Sequence, residues 1–206
     1  GAVSLAPLFE ALAWLGAISV LAGALFALFQ EDIKLMLAYS TISNIGYIVL
    51  GLGLAGELAV TGAAVHVLNH ALIKATLFLA AGAMIHQSGH RTLHDLRGIG
   101  RAMPWTTLAL LIGALSIVGL PPTAGVPGNW YIALGALEAG RPGFAVVVLA
   151  GALVIFIYFA RMLNAFYFRT PSHQEMLGVR EAPASMLGPV LLLGALCVLG
   201  GLLTRW

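Results

Sequence analysis

The chain has 206 residues, of which 60% are hydrophobic and only 9% charged, with a net charge of +2. A soluble domain carries about a quarter charged residues, so most of this surface has to meet lipid or other apolar helices. The single cysteine, Cys197, excludes a disulfide framework or a cysteine metal cluster, and no basic patch has the aromatic interleaving of a nucleic-acid reader.

A helix that crosses the bilayer core takes about 20 mostly apolar residues. In chain order the predicted spans cover about 8–29, 33–54, 58–85, 105–139, 143–168 and 184–203. The expected fold class is all-α, a polytopic transmembrane helical bundle forming a single domain over 1–206. The chain opens on Gly1 with no basic n-region ahead of an apolar stretch, so no secretory signal is expected and the start is expected to lie inside a longer protein.

The first span contains "GAISVLAGALFAL", whose small residues suit close backbone approach between membrane helices. Glu10 is close enough to its start to be interfacial. The second span opens with "QEDIKLMLAYSTISNIGYIVLG". Lys34 there fits either snorkelling to the interface or a place in a proton relay.

The third span, "TGAAVHVLNHALIKATLFLAAGAMI", is apolar except for three titratable groups spaced four apart. On a helix His66, His70 and Lys74 share one face and rise about 12 Å along it, with neighbouring Cβ atoms about 5–6 Å apart. Side chains plus one water bridge such a gap, and Asn69 beside the stripe is placed to hold a water. A lysine at this depth costs about 2.5–3.5 kcal/mol on insertion scales. Desolvation penalises the charged form of a buried amine, and imidazole titrates near neutrality, so the set suits proton transfer. The plain alternative is three satisfied polar residues tying a bundle together. A zinc-protease pattern fails because Val67 follows His66, and no other span supplies a histidine for a haem.

"HQSGHRTLHDLRGIGRAMP" follows as a polar loop, with His86, His90 and His94 expected to be solvated. The fourth span carries "GLPPTAGVPGNW" at its centre. Pro121, Pro122 and Pro127 lack amide donors, so the span is expected to break around Gly119–Gly128 into half-helices over about 105–119 and 128–139. Irregular backbone at membrane depth survives only inside protein or beside a wet cavity, and broken helices often mark ion sites. Glu138 is expected at an interface. Arg161 in the fifth span is deeper and calls for a carbonyl or carboxylate partner. "FRTPSHQEMLGVREAPAS" forms the last long loop.

If six spans alternate, Lys34, Arg91, Arg97, Arg101, Arg169 and Arg180 fall on one side, against Arg141 and Arg205 on the other. The positive-inside rule then puts loops 86–104 and 169–183 in the cytoplasm.

Four stretches in order resemble the antiporter-like membrane subunits shared by respiratory complex I, membrane-bound hydrogenases and Mrp-type cation/proton antiporters. They are "DIKLMLAYSTISNIGYI", "HVLNHALIKATLFLAAG", "LRGIGRAMPWT" and "GLPPTAG", and "NWYIALGALEAG" leans toward the D-type Mrp antiporter subunits. The resemblance implies a fold of about fourteen helices in two inverted halves, of which this chain is the later part. It implies that Lys74 is the central relay lysine, His66 and His70 are relay histidines and Lys34 is a further relay lysine. It implies that Pro121, Pro122, Gly125 and Asn129 belong to the broken-helix site. Where the family usually has Lys or Glu after the break, Asn129 stands here, and an amide carries no proton.

Proton translocation, with Na+ as a candidate exchange ion, is the leading expectation, as a multi-pass subunit of a bacterial or archaeal inner-membrane complex. The partners implied are other membrane subunits and lipid. No cofactor is expected in the chain, and any electron transfer, as in an NADH-quinone oxidoreductase, would belong to partners. A non-conducting scaffold is the alternative, favoured by Asn129 and the missing front half. A membrane enzyme with metal-activated water is a third reading, which lacks carboxylates near His66 and His70.

Overall fold

The computed structural model describes residues 5–170 and 178–203; part of the loop 169–183 and Arg205 fall outside them. Among the described residues eight helices follow one another: α1 (Ala6–Leu28), α2 (Ile33–Leu54), α3 (Glu57–Ser88), α4 (Ile99–Ala102), α5 (Pro104–Val118), α6 (Gly125–Glu138), α7 (Pro142–Phe168) and α8 (Ala184–Leu203). Five of them, α1, α2, α3, α7 and α8, are each long and apolar enough to cross a membrane alone. The sixth expected span is divided between α5 and α6, so the all-α polytopic bundle stands as expected.

Side-chain pairs show which ends lie together. Glu10 near the start of α1 pairs with Arg141, the residue before α7. At the opposite end Arg161 pairs with Glu31, Arg91 pairs with Asp32, and Glu181 ahead of α8 holds the start of α5. The basic residues Lys34, Arg91, Arg97 and Arg101 therefore gather at one end of the bundle.

Helices α1 and α2 form a tight antiparallel pair. A Cβ on Gly16 or Gly23 would lie 2.3 Å or 2.4 Å from backbone nitrogens of Leu50 and Ser43, and one on Gly46 or Gly53 would lie 2.6 Å or 2.3 Å from those of Val20 and Ala13. The Ser43 hydroxyl donates to the Val20 carbonyl across the same seam at 2.8 Å. Small residues seven apart on each helix thus bring the two backbones together. On the far side the Tyr47 hydroxyl donates to the Val148 carbonyl at 2.9 Å and ties α2 to α7.

The segment between α3 and α5 departs from the expectation of a plain solvated loop. Leu93, Leu96, Ile99 and Met103 are buried and pin it to the bundle. Its backbone pairs with the α1–α2 turn, Ile33 donating to Arg91 at 3.0 Å and Leu93 to Glu31 at 2.8 Å. Spaced three or four residues apart, these apolar side chains were hidden among the histidines and arginines. His86 and His94 are exposed, whereas His90 is half-buried.

The break falls at residues 119–124, and α6 starts three residues earlier than expected. Pro127 stands in the first turn of α6, where its missing amide hydrogen costs no intrahelical bond. Gly119 adopts φ +84° and ends α5 in the left-handed region that favours glycine. The break itself is packed: the Ala124 amide donates to the Cys197 carbonyl of α8 at 2.9 Å, and a Cβ on Gly201 would lie 2.1 Å from the Pro122 carbonyl oxygen.

Candidate functional site

The three spaced residues of α3 sit inside the bundle. His66 is 1% exposed, His70 8% and Lys74 7%. The His66 and His70 rings stack nearly parallel, 9° apart, with centroids separated by 6.1 Å. That separation is too long for direct proton transfer between the rings, which needs heavy atoms within about 3.2 Å or one bridging water.

Facing them is a stripe on α2. The Lys74 Nζ donates to the Leu37 carbonyl at 2.7 Å and to the Ser40 Oγ, while Ser40 Oγ itself donates to that carbonyl at 2.9 Å. The Asn44 side-chain amide donates to the Ser40 carbonyl at 2.8 Å, which leaves its Oδ1 as an acceptor. His66 Nε2 lies 3.1 Å from that oxygen. The His66 hydrogen is thereby assigned to Nε2, and in the neutral ring Nδ1 carries the lone pair. The Tyr47 ring packs at 5.7 Å from the His66 ring, and Tyr158 of α7 faces Ser40.

Lys74 has no carboxylate in salt-bridge range among the described residues. Its partners are neutral oxygens and the Phe78 ring, whose centroid is 5.8 Å away. Leu37, Ser40 and Asn44 contribute to this site from positions three and four apart. They were missed as site residues, although "AYSTISNIGY" shows polar side chains recurring at helical spacing in an apolar run.

The break meets the ladder at its other end. A Cβ on Gly128 would lie 2.8 Å from His66 Cβ and 2.9 Å from His66 Nδ1, so glycine lets the first turn of α6 close over the imidazole. Asn69 does not line the ladder as expected. Its amide donates to the Ala124 carbonyl, one of the backbone oxygens that the break releases from helix bonding. Asn129 is 9% exposed, and its Oδ1 is buried without a hydrogen-bond partner, as are His66 Nδ1 and His70 Nε2. A Cβ on Gly119 would stand 3.0 Å from the Asn129 Nδ2, so Asn129 leans toward the end of α5.

The other predicted residues are placed apart. Pro121 and Pro122 are exposed and stay in the break, joined by a cis peptide bond, and Gly125 packs where a Cβ would strike the Ser116 carbonyl at 1.7 Å. Lys34 is exposed in the first turn of α2, its backbone amide capped by Asp32 at 2.8 Å, and its side chain does not join the ladder. Arg161 finds both kinds of expected partner, the Gln30 carbonyl and the Glu31 carboxylate at 3.4 Å.

Residues 5–155 match the family described as NADH:quinone oxidoreductase/Mrp antiporter, transmembrane. The chain belongs to that family. It is 40% identical over 207 residues to NADH-quinone oxidoreductase subunit N of Desulforudis audaxviator (strain MP104C), covering 95% of this chain and 41% of that protein. It is 32% identical over 194 residues to a probable K(+)/H(+) antiporter A/B subunit of Rhizobium meliloti (strain 1021), covering 91% of this chain and 19% of that one. Among solved structures, a chain of respiratory complex I from Thermus thermophilus with bound NADH superposes with a TM-score of 0.88 at 26% identity, covering 96% of this chain and 41% of its own length. The chain thus spans less than half the length of these relatives. It is a membrane-integral, multi-pass member of the NADH:quinone oxidoreductase/Mrp antiporter family.

Proposed function

We propose that the chain carries protons through the membrane interior as the later, C-terminal portion of an antiporter-like subunit in a multisubunit complex. The observation that carries this reading is the buried Lys74 amine, held by two neutral oxygens and no carboxylate among the described residues, on one helix face with His66 and His70. A bundle that needed only polar ties would be cheaper with neutral groups at that depth. The orphaned His66 Nδ1, His70 Nε2 and Asn129 Oδ1 suit ordered water, since buried polar atoms of this kind are normally satisfied.

In this mechanism a proton moves between Lys74, His70 and His66 through intervening water. Ser40 and Leu37 hold the amine, and Asn44 holds the His66 ring in one tautomer. Lys34, one turn ahead of Leu37, serves as the entry group at the arginine-rich end. That end faces the cytoplasm of a bacterial or archaeal cell, with the other membrane subunits of the complex supplying the charge changes that bias Lys74. Whether Na+ moves in exchange depends on those subunits.

Replacing Lys74 by Ala in the assembled complex tests this directly. Proton uptake into inverted vesicles should be lost while the complex still assembles. Unchanged uptake supports the second reading, a non-conducting scaffold, which Asn129 favours because the first turn of α6 then carries no titratable group facing His66.

A further inference from the structure

A cavity of about 450 Å³ opens at the arginine-rich end, away from the ladder, between α7 and the segment that follows α3. Its lining includes Glu31, His94, Arg97, Arg161, Asn164 and Arg169. Two guanidinium groups from the end of α7 and one from the segment after α3 thus converge on one opening, whose lining among the described residues holds one carboxylate. That carboxylate, Glu31, already faces Arg161 at 3.4 Å. Arg161 is anchored by its bond to the Gln30 carbonyl, and its Nε is buried with no hydrogen-bond partner. Among the described residues neither Arg97 nor Arg169 has a carboxylate within salt-bridge distance. Left to themselves, three like charges around one cavity repel, so the geometry asks for an anion.

The chemistry narrows that anion. Planar guanidinium forks match the paired oxygens of a phosphate, and the cavity volume is in the range of small-ligand sites. The surroundings narrow it again. Ile157 lies one helical turn before Arg161 on the same face of α7 and is 45% exposed, and Phe29, the residue before Gln30, is 75% exposed. Phe168 at the end of α7 is 81% exposed beside Arg169. Charge therefore sits directly above apolar surface that faces outward at a membrane end. A free phosphate has no use for that apolar flank; a lipid has both parts.

We propose that this cavity seats the phosphodiester headgroup of an anionic phospholipid, with its acyl chains lying along Ile157 and Phe29. Basic pockets between membrane helices recognise headgroups in this way. The bound lipid would fasten α7 to the α1–α2 turn and to the segment after α3. The proposal needs only that the chain spans a membrane, and it stands or falls independently of the proton route.

The test uses the intact, delipidated complex, titrated with phosphatidylglycerol and read by native mass spectrometry. Phosphatidylcholine serves as the uncharged comparison and inorganic phosphate as a competitor. Phosphatidylglycerol should bind in preference to phosphatidylcholine, and inorganic phosphate should fail to displace it. The double variant Arg97→Gln/Arg169→Gln should weaken binding about thirtyfold, from about 1 kcal/mol for each basic residue near the lipid. Arg101→Gln, at the same end but outside the cavity, should leave it unchanged. Where the double variant does not assemble, Arg169→Gln alone is read, with about fivefold weakening expected. Binding by the cavity variants equal to that of Arg101→Gln overturns the site. Displacement by inorganic phosphate overturns the lipid in favour of a free anion.

Discussion

Helix α2 meets α1 across a seam of glycine and backbone, and meets α3 across a seam of serine, asparagine, imidazole and amine. The two seams run along different faces of one helix, and they do opposite things. On the α1 side, Gly46 and Gly53 bring backbones so close that no side chain fits, which maximises dispersion contact where lipid removes the hydrophobic driving force. On the α3 side, Ser40 and Asn44 give up close packing to hold titratable partners. One face of α2 keeps the bundle together, and the other keeps a costly amine inside it.

The largest expected effect breaks the first seam. Gly46→Leu places side-chain atoms where a Cβ alone would already be 2.6 Å from the Val20 amide nitrogen. Overpacking of this kind costs about 3 kcal/mol or more when backbone has to move. The variant should vanish from membranes in a quantitative immunoblot, and transport with it. Wild-type abundance would mean that α1 and α2 are not so tightly joined.

Next in size is a break in the second seam that spares the first. Asn44→Leu leaves the His66 Nε2–H without its acceptor, at a cost of about 1–3 kcal/mol for a buried unsatisfied group. The chain should still reach the membrane, at reduced thermal stability, while proton uptake falls about tenfold or more as His66 loses its fixed tautomer. Equal losses of abundance and uptake would assign Asn44 a structural role only.

A smaller effect is expected from Lys34→Gln. The residue is exposed and outside the ladder, so abundance should hold and uptake should slow by less than in the Asn44 variant. No change in uptake would leave Lys34 as an interfacial anchor. Smallest of all, Glu181→Ala removes a carboxylate that accepts from the Trp105 amide at 2.8 Å and the Thr106 hydroxyl at 2.6 Å. Losing this cap on α5 should lower stability by about 1 kcal/mol, read as a modest drop in melting temperature with transport intact.

Much of this was legible in the sequence because membrane helices announce themselves by apolar length, and because a histidine or lysine inside such a run stands out. The break between α5 and α6 was legible for a backbone reason, since "GLPPTAGVPG" cannot stay helical throughout. Its second boundary was missed because Pro127 is acceptable in a first helical turn. What faces the ladder was harder to read. Asn44 and Ser40 are ordinary residues in a membrane helix, and only the rotation of α2 decides that they, rather than Ile42 or Ile45, look toward His66 and Lys74. Asn69 misled for the same reason: it lies beside the titratable stripe in sequence, yet a broken backbone elsewhere offers it the Ala124 carbonyl. The cavity beside Arg161 needed Arg97 to come from a distant segment to meet Arg161 and Arg169, which no local pattern encodes.

The most direct test of the proton route keeps the charge at position 74 and removes only the ability to give it up. Lys74→Arg retains a cation and donors for the Leu37 and Ser40 oxygens, but a guanidinium does not release its proton in a protein. With the assembled complex in inverted vesicles, proton uptake should be abolished while abundance and subunit composition match the wild type. Uptake at the wild-type rate in that variant would contradict a route through Lys74.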